Sequence, residues 1–349
     1  MMMKQGIAKL RQASHRLRDR FIPKPLILLY HRVADLQSDP QLLCVTPEHF
    51  KQHLEILRKN AHPMRLQDMV RAWRENKLPR RTVVVTFDDG YADNLLNGKP
   101  SLERYDIPAT VYVTSGYLGA NREFLPDELE RLFLQPGSLP HELCLTIKGN
   151  THKWDLGDGS QYSEDEYRHN CSWHVERTEN PTPRHHVYRS LCQLLYNLPA
   201  RDQRAALDDL AEWASIEPVC RQTHRALTPD DVRILAKDGL VEVGSHTVTH
   251  PVLSALPVAA QRDEIQRSKI CLEEILGHSV NSFAYPYGTR SDYSAETIEI
   301  VQEAGYAQAC SNFEGFVRQG IDPWQLPRFL VRDWEGDEFS RRLGQWWDQ

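Results

Sequence analysis

Short apolar runs that end in polar chemistry, with helical patterns between them, restrict what this chain can fold into. Pro25 to Tyr30 (PLILLY) is continuously apolar and leads into His31. Thr82 to Phe87 leads into Asp88-Asp89-Gly90, Ala109 to Val113 is β-branched, and Leu240 to Val243 leads through Gly244-Ser245 to His246. Runs this short, without polar alternation, belong to strands covered on both faces, as in a parallel sheet. Between them, Thr46 to Lys59 places Phe50, Leu54, Ile56 and Leu57 at helical spacing, and Thr46-Pro47 ahead of Glu48 is a helix start. Further helices are predicted over Leu66 to Lys77 and Asn94 to Arg104. From Asp230 the alternation resumes: a helix, the strand Leu240 to Val243, and a long helix from about Ala259 to Leu276. A short strand at Ser282 to Tyr285, a helix over Ser294 to Ala304 closed by Gly305, and a strand at Tyr306 to Cys310 follow. Strand–helix alternation with polar residues at the carboxyl ends of strands predicts a barrel-like α/β fold.

The segment from Asn121 to Thr228 breaks this rhythm and is expected to be an insertion (121–228) between barrel segments 25–120 and 229–349, behind a basic leader at 1–24. It should hold a helix over Leu125 to Phe133 and a hairpin in which Glu142 to Lys148 turns at Gly149-Asn150 and returns over Lys153 to Leu156. A helix pair around His186 to Leu198 and Arg201 to Ala214 completes it. With 349 residues the chain can bury a full core. A net charge of −6 argues against a broad phosphate-binding face, so no nucleic-acid partner is expected. Seven scattered cysteines without a C-x-x-C pair favour a reducing compartment. The leader carries Lys4, Lys9, Arg11, Arg16, Arg18 and Arg20 with no apolar stretch fit for a signal peptide. A cytoplasmic protein is expected, with peripheral contact to an anionic membrane open through Ile7, Leu10, Leu17 and Phe21.

Two strings carry the chemistry. Asp88 and Asp89 stand side by side at a strand end, and neighbours on a strand point to opposite faces, so they share a site only in a bend that Gly90 can supply. Alone, Asp-Asp-Gly is more often a surface turn. His246 and His250 stand at i, i+4 and would face one side of a helical turn. A carboxylate and two imidazoles make an open site for a divalent metal, and the second carboxylate is then free to act as a base.

Here the chain resembles the polysaccharide deacetylase family, metal-dependent hydrolases that remove N-acetyl groups from glycans. Thr86-Phe87-Asp88-Asp89-Gly90 is similar to the family's first motif and His246-Thr247-Val248-Thr249-His250 to its second. Ser282-Phe283-Ala284-Tyr285-Pro286-Tyr287-Gly288 is similar to the third. The resemblance covers about Pro25 to Thr114 and Thr228 to Trp334. It implies a distorted (β/α) barrel, Asp88 as general base, Asp89, His246 and His250 as metal ligands with Zn2+ the expected ion, and the Tyr287 backbone N–H as oxyanion donor. Two features depart from the pattern. Ala284 stands where many members carry the arginine that orients the base, so Arg328 is the candidate replacement, and Asp333-Trp334 resembles a remnant of the fourth motif. The fifth motif, which supplies the general acid, is absent; His31 takes that role by similarity to poly-N-acetylglucosamine deacetylases, whose acid comes from an N-terminal strand.

The substrate implied is an N-acetylated sugar or glycan. Deacylation of a small, lipid-linked or nucleotide-linked sugar stays open, as does a non-catalytic carbohydrate-binding role. Trp154, Trp173, Tyr162 and Trp334 are candidate sugar-stacking platforms.

Overall fold

The computed structural model describes residues 24–318 and 320–348. The basic leader, and the membrane contact expected of it, lie outside the described residues. Eight parallel strands form the main sheet: β1 (Leu26–Tyr30), β2 (His62–Pro63), β3 (Thr82–Phe87), β4 (Ala109–Val113), β5 (Val241–Ser245), β6 (Ser282–Ala284), β7 (Gln308–Cys310) and β8 (Phe329–Leu330). Their order is β7-β6-β5-β4-β3-β1-β8, with β2 paired to the start of β3. The two ends of this path meet through the residues before β8. Cys310 bridges Leu326 in parallel, and the Leu326 N–H donates to the Ala309 carbonyl at 2.9 Å. The result is the distorted (β/α) barrel expected from the sequence.

Every residue of β1, β3 and β4 is buried, which is why their sequences run apolar without alternation. Period-two geometry then divides each strand between two apolar clusters. Leu26, Leu28, Val83, Val85 and Val111 meet outer helices through residues such as Phe50, Leu54 and Leu57. Ile27, Val84, Tyr112, Ala284, Cys310 and Leu326 converge from around the sheet and are closed off by Leu66, Met69 and Val70 of the helix Leu66–Arg74. The helix Pro47–Asn60 starts where the sequence places it. The Thr46 hydroxyl accepts from the His49 N–H, and Pro47 occupies a position whose N–H needs no partner.

Residues 125–214 have an apolar core of their own, including Leu129, Phe133, Leu143, Tyr188, Leu191 and Leu210. Helices Leu125–Phe133, Glu164–Asn170, Pro183–Leu195 and Ala200–Ala214 surround the hairpin Glu142–Ile147 with Asn150–Asp155. That hairpin turns at Lys148-Gly149, one residue earlier than the sequence suggests, because both residues take positive φ (49° and 82°) as a two-residue turn requires.

A second departure lies after the first chemical string. A single α-helix was expected over Asn94 to Arg104; instead a π-helical turn, Asn94–Gly98, precedes the α-helix Lys99–Tyr105. Side chains explain it: Asn94 Nδ2 donates to the His31 carbonyl at 2.8 Å and Asn97 Nδ2 to the Val33 carbonyl at 2.7 Å. The turn is wound around the chain leaving β1, and such turns recur at functional sites. Among the described residues no helix is long and apolar enough to cross a membrane, and the cysteines are unpaired.

Candidate active site

Asp88 and Asp89 leave β3 in a bend. Asp89 and Gly90 both adopt positive φ, 74° and 83°. The bend is pinned by main-chain bonds: the Thr114 N–H to the Asp89 carbonyl at 3.1 Å and the Leu227 N–H to the Gly90 carbonyl at 2.9 Å. A Cβ at position 90 would also lie 3.2 Å from the Val113 Cα, so close packing against β4 adds to the demand for glycine. The two carboxylates therefore reach one site, as the sequence required.

The two histidines meet them, but not on a helix. His246 to His250 is an irregular loop in which Thr247 and His250 take positive φ (67° and 59°), so the expected helical turn is absent. Hydrogen bonds inside the loop replace helical ones. The Thr247 hydroxyl donates to the His246 carbonyl at 2.5 Å and accepts from the His250 N–H at 3.0 Å. Glu264, on the helix Val258–Leu276, accepts from the Val248 N–H, the Thr249 N–H and the Thr249 hydroxyl at 2.9, 2.8 and 2.6 Å. Gly116 presses against the loop from β4's end, where a Cβ would come within 2.5 Å of the Val248 oxygen.

This loop sets His246 Nε2 3.5 Å and His250 Nε2 3.3 Å from Asp89 Oδ1. Ligand atoms of these three residues lie within 4.8 Å of one another. His246 Nδ1 lies 2.8 Å from the Ala284 carbonyl, an acceptor only, so Nδ1 carries a proton and Nε2 is the ring atom that faces the site. One carboxylate and two imidazoles with open positions suit a divalent cation, and the residues present fit one. Burial pushes the Asp89 carboxyl up, but hydrogen bonds from His246 and His250 outweigh it and hold the carboxyl well below its usual range. Burial likewise pushes His246 down, while Asp88 and Asp89 draw it above its ordinary value. A cation bound here competes with a proton for that imidazole.

Arg328, the candidate replacement arginine, reaches Asp88. Its guanidinium is buried and grips Asp88 bidentately, Nη1 to Oδ1 at 2.7 Å and Nη2 to Oδ2 at 2.6 Å. Nε donates to the Ser311 carbonyl at 2.8 Å, which fixes the fork. Burial raises the Asp88 carboxyl; Arg328 and His246 overcome that push and leave it below its usual value. Asp333 does not reach the site. It accepts from the Thr46 N–H at 2.8 Å and faces His49 Nδ1 at 2.7 Å, beside the helix start that Thr46 caps.

His31, at the end of β1, lines the same cavity as Asp88, Asp89, His246, His250 and Tyr287. Burial lowers its imidazole, and the charges of Asp89 and Asp88 oppose that. Tyr287 sits at φ 58° in the turn after β6, and its N–H has no acceptor among the described residues. Its ring packs between His250, at 4.7 Å, and Tyr196, at 4.4 Å.

Sequence reasoning missed Glu264, the Ala284 carbonyl and Tyr196. Glu264 looks in sequence like any carboxylate on an exposed helix, and a carbonyl has no sequence signature. Tyr196, just past the helix Pro183–Leu195, donates its hydroxyl to Asp292 at 2.8 Å, and Asp292 accepts from the Thr289 N–H in the third-motif loop. The cavity holds about 320 Å³. Leu125, Pro126, Tyr196 and Gln203 form part of its wall. Of the proposed stacking platforms, Trp154, Trp173, Tyr162 and Trp334, none lines it; the aromatic walls are Tyr91, Tyr117, Phe124, Tyr196 and Tyr287. Trp173 belongs to the separate core of residues 125–214 instead.

Comparison with known proteins agrees with this geometry. Residues 75–188 and 204–309 match the family model described as polysaccharide deacetylase. The match runs beyond Thr114 into the mid-chain segment, further than the motifs alone suggest. It contains Asp88, Asp89, His246, His250 and Tyr287 and leaves out His31 and Arg328. The chain is 27% identical over 164 residues to a poly-beta-1,6-N-acetyl-D-glucosamine N-deacetylase of Staphylococcus epidermidis, covering 40% of this chain and 56% of that protein. It is 26% identical over 110 residues to YxkH of Bacillus subtilis, covering 30% of this chain and 37% of that one. In fold it is similar to IcaB from Ammonifex degensii, with a TM-score of 0.56 at 19% identity over 94% of this chain and 98% of that one. With the family model matching more than half of its residues, the chain belongs to the polysaccharide deacetylase family.

Proposed function

We propose that this protein is a hydrolase that removes the N-acetyl group from an amino sugar in a glycan or glycan precursor, using a divalent metal, with Zn2+ the expected ion. The observation that carries this reading is Asp88, gripped by Arg328, beside the Asp89/His246/His250 cluster in one cavity. The name of the Staphylococcus epidermidis relative, a poly-beta-1,6-N-acetyl-D-glucosamine N-deacetylase, supports it. An ion held by Asp89, His246 and His250 would supply Lewis acidity, polarising the acetyl carbonyl and acidifying the attacking water. Asp88, kept ionised and aimed by Arg328, accepts the proton of that water as its oxygen adds to the carbonyl carbon. The Tyr287 N–H is the donor for the carbonyl oxygen as negative charge builds on it. His31 gives a proton to the sugar nitrogen as the C–N bond breaks, leaving acetate and a free amine.

The walls contributed by Leu125, Pro126, Tyr196 and Gln203 favour a second reading within this chemistry, a small or carrier-linked sugar rather than a long polymer. The unpaired cysteines support a reducing compartment for such a substrate. Acetate release from acetamido sugars, measured with bound metal, tests the assignment. Asp88→Asn should abolish release while metal stays bound, whereas His246→Ala should lose the metal. Full activity of Asp88→Asn would end this reading.

A further inference from the structure

Arg332 is the one lysine or arginine among the residues lining the cavity. It follows β8, the strand beside β1, and so stands on the side of His31, where the leaving sugar nitrogen must lie. Its Nη1 donates to the Leu42 carbonyl at 2.5 Å, with the Gln41 carbonyl at 3.4 Å, so the guanidinium is held in place by main chain. Its Nη2 faces Glu176 at 2.6 Å. These partners differ in permanence. The carbonyls belong to a fixed loop, while the Glu176 side chain is 58% exposed against 25% for Arg332. An ion pair with such a partner holds weakly, and a better-placed anion can displace it.

The charges around the cavity point the same way. Asp88 is neutralised by Arg328, and a divalent cation would more than offset Asp89. What remains is the excess positive charge of a bound cation, and Arg332 adds to it once Glu176 turns away, a field that attracts anions. A guanidinium fork fixed by carbonyls suits bidentate capture of phosphate or carboxylate.

We propose that the substrate of the deacetylation described above carries an anionic group, phosphate or carboxylate, on or next to the acetamido sugar, and that Arg332 binds it by displacing Glu176. This rests on the deacetylase reading for the reaction but not for the binding, and the two fail separately.

The test uses the full-length metal-loaded protein with three probes: N-acetylglucosamine 1-phosphate, the methyl glycoside of N-acetylglucosaminuronic acid, and the neutral methyl glycoside of N-acetylglucosamine. Binding is read by calorimetry and turnover by acetate release. At least one anionic probe should bind about tenfold or more tighter than the neutral one, with the gain falling as salt rises. Whether the phosphate or the carboxylate probe gains more identifies the source of the charge. Arg332→Gln should bring the ratio of anionic to neutral affinity close to one. Glu176→Gln, at an exposed position that folding tolerates, should widen it. Parity of the three probes in the wild type overturns the proposal. So does an equal loss for all three in Arg332→Gln, which would mark the residue as a strap for the 39–43 loop. If the binding preference holds but no probe releases acetate, the reaction assignment fails and the anion site stands.

Discussion

Replacing Arg328 by methionine isolates the buried pair at the centre of the site. Methionine fills much of the same space with flexible apolar atoms, so the change removes the charge without leaving a large void. The wild-type guanidinium is fully enclosed and makes two bonds to Asp88, one to the Ser311 carbonyl and one, at 3.3 Å, to the Thr86 hydroxyl. Removing one partner of a buried pair strands the other charge, a loss of about 3–5 kcal/mol, against about 0–1 kcal/mol for a surface pair. The pH dependence follows with a definite sign. In the wild type Asp88 titrates below its unfolded value, so its contribution is present above about pH 4 and lost in acid. Without Arg328, burial dominates and raises the carboxyl above the unfolded value, so its contribution is present in acid and lost as pH rises. The stability gap between wild type and Arg328→Met should therefore widen from acid toward neutral pH. Urea unfolding of the metal-free protein at several pH values measures it. The double variant with Asp88→Asn removes the stranded charge and should recover part of the loss. A gap below about 1 kcal/mol that does not change with pH would refute the account, because a pair of so little value is a surface pair in energetic terms.

Burial raises the Asp127 carboxyl to about 7, against the pull of Arg32 and of the Tyr91 hydroxyl that donates to it at 2.7 Å. That contribution is present in acid and lost as pH rises through 7, so Asp127→Asn should gain on the wild type by on the order of 2–4 kcal/mol between about pH 4 and pH 8 in denaturant midpoints; a constant difference counts against it. Glu264→Gln weakens the three bonds that fold the histidine loop and should lower metal affinity about 10- to 100-fold in a chelator competition, while unchanged affinity would show that the loop holds its shape alone. His31→Gln should cost about 10²–10⁴ in turnover with metal still bound. That loss should shrink for 4-nitrophenyl acetate, whose nitrophenolate leaves as a stable anion without a proton, and equal losses for both substrates would remove His31 from the role of acid.

The barrel was legible because burial on both faces leaves a direct mark in sequence. β4 occupies Ala109–Val113 as read, and β3 runs from Thr82 to Phe87. Where the sequence reading erred, long-range bonds overrode local spacing. An i, i+4 histidine pair suggests a helix, yet Glu264 accepts from the loop from 15 and 16 residues away and holds it open. Asn94 and Asn97 bond carbonyls 63 and 64 residues back and turn the start of a helix into a π-helical turn. Propensity sees neither interaction, because both arise only when separate elements of the fold come side by side.

The site divides the same way. Asp88, Asp89, His246 and His250 could be named from two strings because each string keeps its chemical residues adjacent in sequence, although bonds from elsewhere set its shape. Arg328 could be suspected only because Ala284 left a base without an arginine, and what links them is topology: β8 lies beside β1, which lies beside β3. The same adjacency brings His31 to the cavity. It also sets Arg332, two residues past β8, on the side of the cavity where the leaving nitrogen must lie. One short strand is thus flanked by both arginines, Arg328 just before it at Asp88 and Arg332 just after it on the cavity wall. Residues 125–214 add Tyr196 against Tyr287 and Glu176 against Arg332. That segment touches the cavity at Tyr287 and at Arg332. Changes within it should alter which sugar is accepted and leave the base and its arginine in place.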